Sequence, residues 1–169
     1  GSLQQDESNY STTNQQQLTI PTGLPASDPE AGSVYIYISD QASCVNLCDI
    51  YSHIDSRIIR IDDLTGKNWV SFGIFGNGTN QLYDPSHLTV GPDGKIYIAD
   101  KGNKRIVRID DMTGKNWIIY ETKSQFIEPL GVAFDSKGKL YIANSNEIIR
   151  IDDITGKGRI SFGTSGSGV

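Results

Sequence analysis

Four side chains in this 169-residue sequence are the first to inspect for nucleophilic or metal chemistry: Cys44, Cys48, His53 and His87. Cys44 and Cys48 sit four residues apart with His53 close behind, which supplies two or three ligands where a structural zinc site takes four. The two cysteines are therefore expected to form a disulfide that closes a small loop, and that bond implies an oxidising compartment. Three "IDD" steps, at residues 61–63, 109–111 and 151–153, resemble paired acid and base groups. Neighbours on an extended strand point to opposite faces, however, and the recurrence of these carboxylates beside Thr-Gly marks them as turn residues. "DKGNKR" (100–105) places Asp100 and Arg105 where they can pair across a loop whose turn comes from Gly102 and Asn103. "GIFGNG" (73–78) has the glycines of a phosphate loop, but no helix follows to receive an anion. There is no Gly-x-Ser-x-Gly elbow and no Cys–His nucleophile pattern. "NYS" at Asn9 and "NGT" at Asn77 fit the glycosylation pattern, which matters only in a secreted eukaryotic chain.

The elements that carry these residues are written as a repeat. "RIDDLTGKNW" (60–69), "RIDDMTGKNW" (108–117) and "RIDDITGKGR" (150–159) put Gly66, Gly114 and Gly156 at intervals of 48 and 42 residues. Before the second and third copies come "GKIYIAD" and "GKLYIAN", whose period of two belongs to half-buried strands. A further alternating run starts at a proline in "PSHLTVGPDG" and "PLGVAFDSKG". Each unit thus has four strands. In the second they are expected over 87–90, 95–99, 105–109 and 116–120, joined by glycine-fixed turns. The first unit is disguised: "TNQQQLTIP" (13–21) matches "TNQLYDP" (79–85), four extra residues lengthen its first turn, and its second and third strands are separated by an insertion over 41–56. The chain divides into a polar tail (1–13), a first unit (14–78), a second (79–121) and a third (122–169).

"DPSHLTVGPDGKIYIADKGNKRIVRID" resembles an NHL repeat. The second unit departs from the family pattern with His87 in place of glycine and Gly91 in place of aspartate, while the third has Asn144 at an aspartate position and lacks "GNKR". The resemblance implies an all-β fold, a partial β-propeller of three four-stranded antiparallel blades that makes up half of a six-bladed ring, and a role as an interaction platform. Related six-bladed lyases and lactonases draw metal ligands from several blades near the channel mouth. The positions equivalent to His87 are Gly23 and Gly131, which cannot ligate, so no metal or other cofactor is expected.

Strand order puts two kinds of connection on opposite ends of each blade. The glycine-fixed turns form one end, expected to be scaffold, and the longer, variable loops form the other, where binding residues on rigid frames gather. The candidate binding residues on that loop face are Tyr83, Asp84, His87, Lys101 and Asn103, with Tyr51 and His53 in the insertion. A net charge of −5 argues against a nucleic-acid partner, and alternation scatters the one basic cluster, Lys101, Lys104, Arg105 and Arg108, over two faces. No apolar run reaches membrane-spanning length. The expected function is a binding scaffold for a protein or glycan, secreted or periplasmic, and not an enzyme. The alternatives are a fragment of a propeller lyase or lactonase and a structural extracellular array. Gly1 stands in place of an initiator methionine, as a tag scar, a processed end or the cut edge of a longer protein, and "SFGTSGSGV" stops where another unit would begin. Three blades leave two bare apolar faces, so a homodimer or further blades are needed to close the ring.

Overall fold

In a computed structural model the described residues are 35–40, 56–121 and 128–163, and they form thirteen strands. The first sheet joins β1 (Ile36–Asp40), β2 (Arg57–Ile61) and β3 (Val70–Phe72). The connection onward contains β4 (Ile74–Phe75) and β5 (Gln81–Leu82), which pair in parallel. The second sheet runs β6 (Pro85–Val90), β7 (Ile96–Asp100), β8 (Arg105–Ile109) and β9 (Ile118–Tyr120). The third runs β10 (Pro129–Phe134), β11 (Leu140–Asn144), β12 (Glu147–Ile151) and β13 (Ile160–Phe162). Both four-stranded sheets are antiparallel meanders, the blades that the repeat predicts. The stretch preceding β1, and with it the expected innermost strand of the first blade, lies outside the described residues.

Two strand ends differ from expectation, each for a local reason. β6 begins at Pro85, two residues early, because Pro85 pairs with Asp100 before a bulge shifts the register to His87 opposite Ala99. Proline at a first strand position forfeits no ladder bond. β9 begins at Ile118 and not at Asn116, because Asn116 is held at φ 53 by a hydrogen bond from its amide to Asp110 (2.6 Å). Asn68 does the same with Asp62 (2.7 Å), and the third copy has Gly158 at φ 63. A Cβ on Gly158 would lie 2.4 Å from the Asp152 carboxylate, so the one unit that loses the asparagine replaces it with the residue that left-handed backbone best tolerates.

The repeated "DDxTG" is a turn built on side-chain acceptors. Asp63, Asp111 and Asp153 each accept from the amide two residues on (2.8, 2.8 and 2.9 Å) and from the same residue's threonine hydroxyl. These bonds hold the Asp63 and Asp153 carboxyls below the usual aspartate range. Gly66, Gly114 and Gly156 follow at φ 78, 79 and 83. Their second task is packing: a Cβ on Gly114 would lie 2.4 Å from the Phe72 ring of the first blade, and one on Gly156 2.4 Å from the Tyr120 ring of the second. The second and third of these turns therefore rest on the aromatic that ends the previous blade.

The core lies between blades. Ile58 and Phe72 of the first blade meet Ile96, Ile98, Val107 and Met112 of the second. Tyr97, Ile106 and Tyr120 of the second meet Leu140, Ile142, Ile149 and Ile154 of the third. β7 thus buries residues on both faces and is buried at all five positions. β11, with nearly the same sequence, has a blade on one side only among the described residues and alternates between buried and exposed.

Candidate functional site

The loop end of the second blade is organised around a buried ion pair. Asp100 is 0% exposed, and its carboxylate accepts from Arg105 Nε (2.7 Å), Asn103 Nδ2 (2.8 Å) and the Tyr83 amide (2.7 Å). Burial drives this carboxyl above its ordinary pKa, against the pull of those donors. The arginine's remaining donors cross to the incoming chain and reach the carbonyls of Asn77 (2.8 Å), Gln81 (2.8 Å) and Gly78 (3.4 Å). Asn103 also donates to the Gly76 carbonyl (2.8 Å). A single 3-10 turn over Lys101–Asn103 brings these groups to the linker. The Gly102 amide bonds the Tyr83 carbonyl (2.8 Å), and a Cβ there would sit 2.5 Å from the Tyr83 ring, so the approach requires glycine.

Four of the expected residues therefore come together. Tyr83 and Asn103 are joined through Asp100, and Asp84, at φ 51, pairs with Lys101 at 2.9 Å, which lifts the lysine above its usual pKa. His87 stands apart. Its side chain is exposed, and its Nδ1 accepts from the Val132 amide (3.3 Å), tying β6 to β10. Ser86, in the bulge, donates to the Pro129 carbonyl (2.8 Å), so two adjacent residues stitch the innermost strands together. Tyr51, His53, Cys44 and Cys48 lie outside the described residues.

Some features of this face escaped the sequence reading. Ile74 and Phe75 are 64% and 45% exposed on the linker, with Phe75 edge-on to Tyr83 at 5.2 Å. Two large apolar residues inside a loop of Gly, Asn and Thr were the available signal. At the opposite end, expected to be scaffold alone, a groove of about 240 Å³ lies between the first two blades, lined by Tyr37, Arg60, Lys95, Asp110 and Met112. Lys95 and Arg108 both reach Asp110 there (3.4 and 3.0 Å), and Arg60 Nε has no hydrogen-bond partner among the described residues. Among the described residues no group of three or more His, Cys, Asp or Glu is arranged to hold a metal ion. No helix among them is long and apolar enough to cross a membrane.

Residues 82–109 match the NHL repeat. No curated protein matches the sequence. Among solved structures, a catalytically inactive variant of virginiamycin B lyase from Staphylococcus aureus, determined with quinupristin, is 22% identical; the match covers 69% of this chain and 37% of that one, with a TM-score of 0.50. The selenomethionine form of the Staphylococcus aureus lyase is also 22% identical, over 66% and 36% of the two chains, with a TM-score of 0.48. Hydrazine synthase from Kuenenia stuttgartiensis is 20% identical, over 68% and 30%, with a TM-score of 0.47. Likeness at this level establishes a β-propeller fold and nothing about activity. The chain spans about a third of the length of the structures it resembles.

Proposed function

We propose that this propeller segment is a protein-binding platform whose contact surface is the linker between the first two blades, centred on Ile74 and Phe75. The observation that carries the reading is that these two side chains are exposed on a segment clamped by Arg105, Asn103 and Asp100. A flexible loop loses conformational freedom when it binds, whereas a loop already fixed by five protein hydrogen bonds loses little. Aromatic groups with adjacent charges, here Phe75 and Tyr83 beside the Asp84–Lys101 pair, are the composition of interface centres and rims. A glycan partner fits less well, because the hydrogen-bonding groups of Asn103 and Arg105 are turned inward to the linker. The lyase reading is disfavoured on the same ground: the His87 Nδ1 lone pair, Asp84 and Lys101 are engaged with protein groups.

Selection from a displayed peptide library, followed by affinity measurement with the I74S/F75S variant, tests this proposal. Binders selected on the wild-type chain should lose at least about tenfold in affinity on the variant, the loss expected for removing apolar anchors. Selection that yields only binders indifferent to Ile74 and Phe75, or a glycan array with hits that survive the substitution, would redirect the function to another surface.

A further inference from the structure

We propose that Asn77 is a site of spontaneous covalent modification, where the linker converts its own asparagine to isoaspartate under the control of Gln81 and Arg105. Asn77 is the one asparagine in the sequence that precedes a glycine. A side chain on the following residue would crowd the main-chain nitrogen that must attack, and glycine leaves it open. Both residues are exposed, and the Asn77 carboxamide has no hydrogen-bond partner among the described residues. The side chains of Asn68, Asn103, Asn116 and Asn144, by contrast, each donate to a carboxylate. The reaction needs only water. The Gly78 nitrogen gives up its proton and bonds to Asn77 Cγ, the bond from Cγ to Nδ2 breaks, and ammonia leaves, which closes a succinimide ring. Water then opens that ring at one of its two carbonyls. Opening at Cγ gives aspartate; opening at the main-chain carbonyl gives isoaspartate, in which the backbone runs through the former side chain and is longer by one methylene.

Two neighbours act on these two steps. Gln81 Oε1 accepts from the Gly78 amide at 2.8 Å, and its carboxamide lies 2.4 Å from where a Cβ on Gly76 would stand and 2.9 Å from one on Gly78. A succinimide nitrogen carries no hydrogen, so this bond must be lost before the ring can close. Gln81 is therefore the gate. Arg105 Nη1 donates to the Asn77 main-chain carbonyl at 2.8 Å, while the carbonyls of Gly76 and Gln81, on either side, are held by Asn103 and Arg105 at 2.8 Å each. The linker is thus kept against the guanidinium through the reaction. A cation at that carbonyl stabilises the negative charge that develops when water adds there. No such donor serves the exposed Cγ carbonyl, so the ring opens toward isoaspartate. The carboxylate released by that opening falls beside Arg105, where it competes with Asp100 at 2.7 Å, and the added methylene draws the Gly78 carbonyl from its 3.4 Å contact. The modified linker is held less firmly than the original, whether or not it binds a partner.

The test is incubation of the full chain at mildly alkaline pH, with peptide mapping by mass spectrometry and fragmentation that separates aspartate from isoaspartate. Three samples are compared: the folded wild type, folded Q81A, and the wild type unfolded in guanidinium chloride. The folded wild type should gain one mass unit at Asn77 ahead of every other asparagine. Q81A keeps the main-chain carbonyl that Arg105 holds, so its circular dichroism should match the wild type, and it should convert about threefold faster or more, the share of one exposed hydrogen bond. The ratio of isoaspartate to aspartate should be at least about twofold higher in the folded wild type than in the unfolded chain. An Asn77 that keeps its amide in both folded samples while the unfolded chain converts overturns the proposal. So does a Q81A rate no faster than wild type, which removes the gate, or an equal product ratio in folded and unfolded chains, which removes the role of Arg105.

Discussion

The hairpins at the loop ends of the second and third blades share a strand register and differ in turn length and chemistry. In the second, Asp100 pairs with Arg105, whose guanidinium lies 5.3 Å from the centroid of the Trp117 ring. The first blade repeats the set with Asp40, Arg57 and Trp69. In the third the corresponding residues are Asn144, Glu147 and Arg159, so an acid stands where the base was and a base where the tryptophan was: Asn144 donates to Glu147 (3.3 Å), which pairs with Arg159 at 3.6 Å. Yet the strands register alike, Asp100 opposite Arg105 and Asn144 opposite Glu147. The hairpin therefore does not depend on the ion pair. What the pair supports is the grip on the incoming linker, which the longer 3-10 turn makes possible. The shorter turn at Ser145 and Asn146 reaches its linker through bonds at Glu128, from the Ser145 amide and to Asn144.

The largest effect is expected from breaking the grip. R105A leaves Asp100 buried without its cation and frees the carbonyls of 77 and 81, at a cost of about 3–5 kcal/mol measured by urea unfolding. Because the folded-state pKa of Asp100 is raised, ionising it costs stability as pH rises through the window above the ordinary aspartate value, and losing Arg105 enlarges that cost. The deficit should accordingly be greatest at neutral pH and shrink as the pH falls toward about 4. A deficit independent of pH would assign the loss to packing alone.

The converse exchange sharpens the comparison. N144D places a second carboxylate beside Glu147 at a site 2% exposed and should cost about 2–4 kcal/mol. Grafting the full set, N144D/E147R/R159W, should recover most of that loss. If the graft is no better than N144D, the three residues do not act as a unit and the resemblance between blades is one of sequence only.

A smaller difference is expected between turns. G114A and G66A carry the same penalty for a side chain at φ near +80, but of the two only at Gly114 does the new methyl meet a ring among the described residues. Under conditions where the chain is monomeric, G114A should be the more destabilising by about 1–3 kcal/mol in the same unfolding measurement. The smallest effect belongs to K101A, which removes a partly exposed ion pair with Asp84 and should shift stability by less than about 1 kcal/mol, less still in high salt.

Much of the fold was legible because its signals are side chains. Alternation, the opening prolines and the turn glycines located the strands, and complementary charges at the ends of one loop located the Asp100–Arg105 pair. Burial was less legible: "IYIAD" and "LYIAN" present the same pattern, and only the presence of a following blade decides that Tyr97 is buried and Tyr141 exposed. The clamp on the linker was not legible at all, because Arg105 binds main-chain carbonyls, which every residue possesses. Strand order placed Tyr83, Asp84, Lys101 and Asn103 at the loop end, while their mutual engagement depends on a turn geometry that composition does not encode.

The glycine beneath each aromatic has a consequence for how such a chain can lengthen. A knob that fitted a unique partner would have to evolve with it, and each added unit would need a new surface matched to an old one. Here every unit carries both halves of one joint, the ring that ends it and the bare turn that receives a ring. A tandem duplication of the coding segment therefore delivers a blade that docks on its parent at once, with Phe or Tyr serving equally as the knob. The third blade shows how far drift is then tolerated: its hairpin ion pair has been rebuilt from Glu147 and Arg159, while Gly156 still lies under Tyr120.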